Sequence, residues 1–347
     1  MPGLIVAQPP PAPHVIGPAT KNVTRPSEPL PQYLLDQARS TPREEFHAPK
    51  HINFQPPANI VSMKEIGLEG HGISPNAVSE PFRLFTDEAV QQIRAEVFSE
   101  EVLKDCRFAS TFNKQMVRRM GAARAPFTYA AWNSPELIAA VSKVAGIDVV
   151  PSFDFEVANI NISVNSSDKP VAEPKKDDGN PLSDGLSSVA WHYDSFPFVC
   201  VVMLSDCTDM VGGETALRTS SGEIMKVRGP AMGTAVVLQG RYIEHQALKA
   251  LGGRERISMV TCFRPKSPHV RDETVLTGVR GISHKSEMYT QYTEYRLEIL
   301  EERIRAKQKS ERTRAAARRP FDTEEIRQWL NEQKAFIEST LEELTGE

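Results

Sequence analysis

Two histidines and one aspartate are the residues of this chain best suited to chemistry. His192 and Asp194 stand two residues apart in Trp191-His192-Tyr193-Asp194, and His245 closes the run Gly240-Arg241-Tyr242-Ile243-Glu244-His245. Two neutral imidazoles and one carboxylate can occupy one face of an octahedral Fe(II) and leave three positions open, as oxygen chemistry requires. Eleven residues past His245 comes Arg256, followed after one residue by Ser258. On a strand, residues so spaced share a face. A planar guanidinium beside a hydroxyl is a good receptor for a carboxylate, which the fork binds through two parallel hydrogen bonds.

His-x-Asp alone is a common chance pairing, and a lone histidine is as well explained by a structural hydrogen bond. The five positions together outweigh that plainer reading. Of the eight histidines, only His192 and His245 lie in strand-rich sequence with an acid at ligand spacing. Arg254 and Arg264 compete with Arg256 as anion receptors, but Arg254 adjoins the Gly252-Gly253 turn and is expected at the strand entrance.

The elements that must position these residues divide the chain into three parts. Residues 1–57 hold thirteen of the 26 prolines and read as an extended arm without a core of its own. Residues 58–285 read as the catalytic domain with supporting helices, and 286–347 as a helical extension. Thr86 caps a helix carrying Val90, Ile93 and Val97, and Ser134-Pro135 opens another that Gly146 stops. From Phe153 to Val164 the pattern is that of one or two strands. Short strands with turn signals then run from Phe198 to Phe263, which suggests a sandwich or jelly roll. The polar stretch Ser166–Ser187 between them reads as a lid. The tail carries a stripe of Met288, Tyr292, Tyr295 and Ile299, then a helix capped by Asp322. These helices either cover the barrel or form a homodimer contact.

Composition narrows the function classes. Hydrophobic content of 40%, charged content of 25% and a net charge of −4 fit an ordinary soluble protein with no general attraction to nucleic acid or anionic membrane. There is no apolar run of about 18 residues, as a membrane span would need. The N-terminus lacks the features of a signal peptide. The four cysteines show no CxxC spacing and read as free thiols in a reducing cytoplasm. The basic run Arg303–Arg319 reads as a solvated helix rather than a nucleic-acid surface.

The stretch from Ser188 to Pro265 resembles the Fe(II)- and 2-oxoglutarate-dependent oxygenases, and is similar to uncharacterised fungal members. The resemblance rests on the His-x-Asp pair, the Gly212-Gly213-Glu214-Thr215 turn, the glycine-led distal histidine and the Gly253-x-x-Arg256-x-Ser258 ending. It covers a little under a quarter of the chain. It implies a mainly β protein with flanking helices (α+β) around a double-stranded β-helix, or jelly-roll, core. It also implies that His192, Asp194 and His245 bind iron, and that Arg256 and Ser258 bind the distal carboxylate of 2-oxoglutarate, with Asn159 or Asn161 assisting. The implied reaction consumes O2 and 2-oxoglutarate, releases succinate and CO2, and oxidises a C–H bond of a small molecule. Hydroxylation, desaturation and oxidative ring closure all remain open, whereas the carboxylate of Asp194 argues against halogenation. Specialised metabolism is one setting that fits.

Candidate substrate contacts are fewer. Lys114, Arg118, Arg119 and Arg124 precede Phe127, Tyr129 and Trp132, and Arg118 or Arg124 could hold a small carboxylate such as an amino acid. A solvated helix face is the plainer account of that charge run. Phe196, Phe198 and Tyr242 flank the ligands and serve equally as pocket or as packing. A peptidyl hydroxylase of similar core and a catalytically inactive metal-binding module are the alternatives.

Overall fold

The computed structural model describes residues 9–18, 24–111, 113–164, 187–208, 210–227, 231–248, 250–251 and 253–346. It is a mixed α+β structure built on a ten-stranded, a four-stranded and a two-stranded sheet. In the large sheet Thr234–Leu238, Phe198–Met203, Glu255–Pro265 and Asn159–Val164 lie side by side, paired antiparallel. The four-stranded sheet runs Ile224–Val227, Thr215–Arg218, His245–Leu248, Ser187–His192.

Alternation along these strands sorts two cores. Ile257, Met259 and Phe263 turn to one face, with Val202 and Val237, and meet the helices through Trp132, Leu137 and Val141. Val199, Val236, Leu238 and Cys262 turn to the other face and pack with Leu217, Val227 and Ile243 around the small sheet. The period of two thus gives every central strand one face toward the helices and one toward the second sheet.

The expected helix signals are present. Thr86 accepts from the Ala89 N–H at the head of Asp87–Val97, a cap worth about 1 kcal/mol. Ser134 does the same for Pro135–Ala145, and Gly146 ends it with φ of 77°. Its positive φ is readily accessible only to glycine.

The proline-rich segment is more ordered than a bare arm. Gln32–Ser40 is helical, with Leu34 and Ala38 buried. Val15 is buried too, while Arg271 and Arg241 donate to the carbonyls of Pro10 and Pro13. Prolines have no N–H but keep their carbonyls, and the arginines take those acceptors. The first strands follow soon after the arm: Ile60–Ser62 pairs with Asn76–Ser79, which joins the large sheet beside Leu238. Strands this short carry too few residues to show a period.

Phe153–Val164 is one strand, Asn159–Val164, preceded by a 3-10 turn at Asp154–Glu156. In the tail, Lys285–Ala316 buries Met288, Tyr292, Tyr295 and Ile299, but Thr323–Glu343 buries only Gln333 and Phe336. Leu330, Ile337 and Leu341 are exposed. In the basic run, Arg303 donates to the Pro268 carbonyl, and Lys307 and Arg314 pair with Glu325. All four cysteines are free. No helix among the described residues is long and apolar enough to cross a membrane. The expected lid, Ser166–Ser187, lies outside the described residues apart from Ser187.

Candidate metal centre

His192 ends one strand of the small sheet, His245 begins its neighbour, and the two are cross-strand partners. His245 thus sits on the strand adjacent to that of His192, not across the barrel from it. Direct partners share a face with their Cβ atoms about 5 Å apart, and the ring centroids here are 4.3 Å apart. Asp194 lies just beyond the strand that ends at His192. Its backbone N–H donates to the Gly240 carbonyl at 2.9 Å. That bond ties the two ligand-bearing segments together and swings the carboxylate between the imidazoles.

Asp194 Oδ1 lies 3.4 Å from His192 Nε2, and Oδ2 lies 3.5 Å from His245 Nε2. One ligand atom from each of the three residues falls within a 4.8 Å cluster. His192 Nδ1 is 2.8 Å from the Ala190 carbonyl, and His245 Nδ1 is 2.9 Å from that of Ile243. A carbonyl can only accept, so each Nδ1 donates and each neutral ring keeps its lone pair on Nε2. Asp194 Oδ2 is buried with no hydrogen-bond partner. Three electron-rich groups facing one another need a cation between them, and this donor set fits a divalent metal.

The electrostatics agree. Burial pushes His245 down to about 4, so it is neutral at pH 7. For His192 burial also pulls downward, but the hydrogen bond and charge of Asp194 win and raise it. Burial would raise Asp194, yet the two histidines hold it below the usual carboxylate range. Without metal, the proton favoured by the His192–Asp194 pair is the one a bound metal would displace.

Gly240 explains why a glycine leads the distal histidine. A Cβ there would stand 1.9 Å from Asp194 Oδ2 and 3.1 Å from His245 Cε1. No larger residue leaves the carboxylate in place.

Arg256 and Ser258 share the inner face of Glu255–Pro265, opposite Ser163 and Asn161 respectively. Ser258 is buried, and Arg256 is partly buried. Burial opposes the charge of Arg256, and among the described residues only the Cys207 thiol acts to offset this. A partly buried guanidinium with no carboxylate beside it among the described residues is suited to an external anion. Arg254 is exposed, 3.3 Å over the Tyr33 ring. Arg264 lies over Tyr295.

The remaining candidates separate. Asn161 stands beside Ser258 and accepts from Asn113, whereas Asn159 donates to Glu156. Arg118 is buried and paired with Glu156, but Arg124 pairs with Asp105 away from the metal cluster. Phe196 is buried against Phe153 with centroids 5.6 Å apart. Tyr242 joins the inner core, while Phe198 faces the helices as packing. Glu156 escaped the sequence reading. The available signal is an acid in the otherwise apolar Phe155-Glu156-Val157 run.

Neither a scan against protein-family models nor a search of curated protein sequences finds a match. Solved structures do match. One is a 2OG-Fe(II) oxygenase family oxidoreductase from Burkholderia pseudomallei, at 14% identity and TM-score 0.31, over 43% of this chain and 65% of that one. Another is a Pseudomonas putida prolyl-4-hydroxylase, at 18% identity and TM-score 0.31, over 52% and 88%. A third is a nickel complex of the non-heme monooxygenase ThoJ, at 15% identity and TM-score 0.36, over 57% and 76%. This chain thus spans just under two thirds of the first of them. At TM-scores below 0.5 these likenesses assign no role to any residue, and the site stands on its own geometry.

Proposed function

We propose that the chain is a non-haem Fe(II)- and 2-oxoglutarate-dependent dioxygenase with a jelly-roll core, acting on a small organic substrate. The observation that carries this reading is the Asp194 carboxylate set between two imidazoles, its Oδ1 facing His192 Nε2 and its buried Oδ2, without a hydrogen-bond partner, facing His245 Nε2. His192, Asp194 and His245 would hold the metal. Iron bound there would supply the oxidative decarboxylation of 2-oxoglutarate by O2, giving succinate and CO2 and leaving one oxidising equivalent pair for a substrate C–H bond.

The protein's own part is positioning. The Ala190 and Ile243 carbonyls fix both imidazole tautomers. Arg256 and Ser258 would anchor the distal carboxylate of 2-oxoglutarate, with Asn161 alongside. Val199, Val236 and Leu238 give the inner face apolar walls that exclude water. Hydroxylation is the expected outcome. The test is O2-dependent succinate formation from 2-oxoglutarate by the iron-loaded protein, with and without substrate candidates. Metal binding without any succinate would favour an inactive metal-binding module instead.

A further inference from the structure

The metal cluster is not the only polar feature on the inner face. Arg118, Glu156 and Asn159 form a second cluster, each no more than 5% exposed. Arg118 Nη2 donates to Glu156 Oε1 at 2.5 Å, and Asn159 Nδ2 donates to Oε2 at 2.7 Å. Cys262 Sγ lies 3.7 Å from the same Oε2. Both oxygens of Glu156 face donors, so a proton on either would meet another proton. Burial raises Glu156 above the usual carboxylate range, while the Arg118 charge and the donors on both oxygens pull the other way and favour the carboxylate; as an ion pair, Arg118 and Glu156 are together electrically neutral.

Two atoms in this cluster are left over. Arg118 Nε, a donor, and Asn159 Oδ1, an acceptor, are buried without hydrogen-bond partners. Each such atom costs about 1–3 kcal/mol unless something fills it. Asn159 stands opposite Val260 on the inner face of the sheet. Arg118 lies over the Phe155 ring, with 5.6 Å to its centroid.

The cluster adjoins the metal ligands. Cys262, in contact with Glu156, feels the charge of Asp194. Phe153, which opens the turn carrying Glu156, packs on Phe196, two residues past Asp194. Arg256 is six residues from Cys262 along one strand, or roughly 20 Å at 3.3 Å per residue.

We infer that Arg118, Glu156 and Asn159 form the binding site for the primary substrate. The group they take is neutral and both donates and accepts a hydrogen bond, a hydroxyl or a carboxamide. A carboxylate is excluded, because the charge of Arg118 is already matched and the anion would meet Glu156. This replaces the expectation that Arg118 holds an amino-acid carboxylate. The inference rests on the oxygenase reading for the fate of the bound molecule, though not for its binding.

The test uses full-length protein loaded with Mn(II), excess 2-oxoglutarate to fill the Arg256 site, and two probes with the same apolar body, phenylacetamide and phenylacetate. Ligand-observed NMR reads binding by saturation transfer, and proximity to the metal by relaxation enhancement. The expected result is binding of phenylacetamide close to Mn(II), with phenylacetate about tenfold weaker or silent, and about tenfold loss of amide affinity in Asn159→Leu. Equal binding of the two probes, binding of neither, or an Asn159→Leu protein with unchanged amide affinity would overturn the assignment. Should Asn159→Leu not fold, the wild-type preference between the probes decides. Selective amide binding without relaxation enhancement, in a protein that takes up no metal, would instead defeat the oxygenase reading and leave the site.

Discussion

Replacing Arg256 by methionine separates a cosubstrate receptor from a structural arginine. The guanidinium has no carboxylate beside it among the described residues, so its loss leaves no acid orphaned. Breaking a buried ion pair costs about 3–5 kcal/mol; here the stability of the apo protein should change by less than about 1 kcal/mol. Binding is another matter. Two charge-assisted hydrogen bonds to the distal carboxylate contribute about 1.5–3 kcal/mol each. After the cost of desolvating the anion, a net loss of about 3 kcal/mol remains, or on the order of a hundredfold in 2-oxoglutarate affinity. Arg256→Lys keeps the charge without the fork and should lose about tenfold. Anaerobic titration of the iron-loaded variants with 2-oxoglutarate reads the affinity, and urea unfolding of the apo proteins reads the stability. An Arg256→Met protein with unchanged affinity, or with several kcal/mol less stability, would refute the reasoning.

Three further predictions follow from the geometry. Gly240→Ala should lose most metal affinity, since its Cβ would collide with Asp194 Oδ2; calorimetric metal titration of a folded variant showing wild-type affinity would contradict this. Metal affinity should rise with pH, about tenfold per unit, until the raised His192 has titrated, and then level off, because binding displaces its proton. Apo stability is a poorer reporter. His245, lowered to about 4, adds stability as pH rises from there through the unfolded value near 6.5, whereas the raised His192 loses stability as pH climbs through its folded value. Finally, a homodimer through the C-terminal helices would cover the exposed Leu330 and Ile337. Leu330→Glu with Ile337→Glu should then sediment as a monomer, and a wild-type protein that is already monomeric would end that reading.

Much of the candidate metal centre was legible because ligand chemistry restricts residue type. Two histidines and an acid at ligand spacing stand out in strand-rich sequence, whereas the close approach at Gly240 shows only in the fold. That Arg256 and Ser258 share one strand face was legible from parity alone. What stayed hidden depended on tertiary partners. Nothing local says that Asp194 leaves its strand to meet the Gly240 carbonyl, or that His192 and His245 are direct neighbours. Glu156 was missed because a 3-10 turn between aromatic residues has no periodic signature, and the inward turn of Arg118 depends on that same acid. Leu34 was missed for a similar reason, as one helix of nine residues was hidden among prolines. The exposed Leu330 and Ile337 show the converse, an apolar stripe whose cover the fold of one chain does not provide.

The most direct measurement is anaerobic. Apo protein is titrated with Fe(II), then with 2-oxoglutarate, and the weak visible metal-to-ligand charge-transfer band is followed in the wild type and in His192→Ala and His245→Ala. One equivalent of iron, a band saturating with 2-oxoglutarate, and loss of that band in both variants are predicted. Iron bound without a band, or a band that survives in either variant, would contradict the assignment of this site.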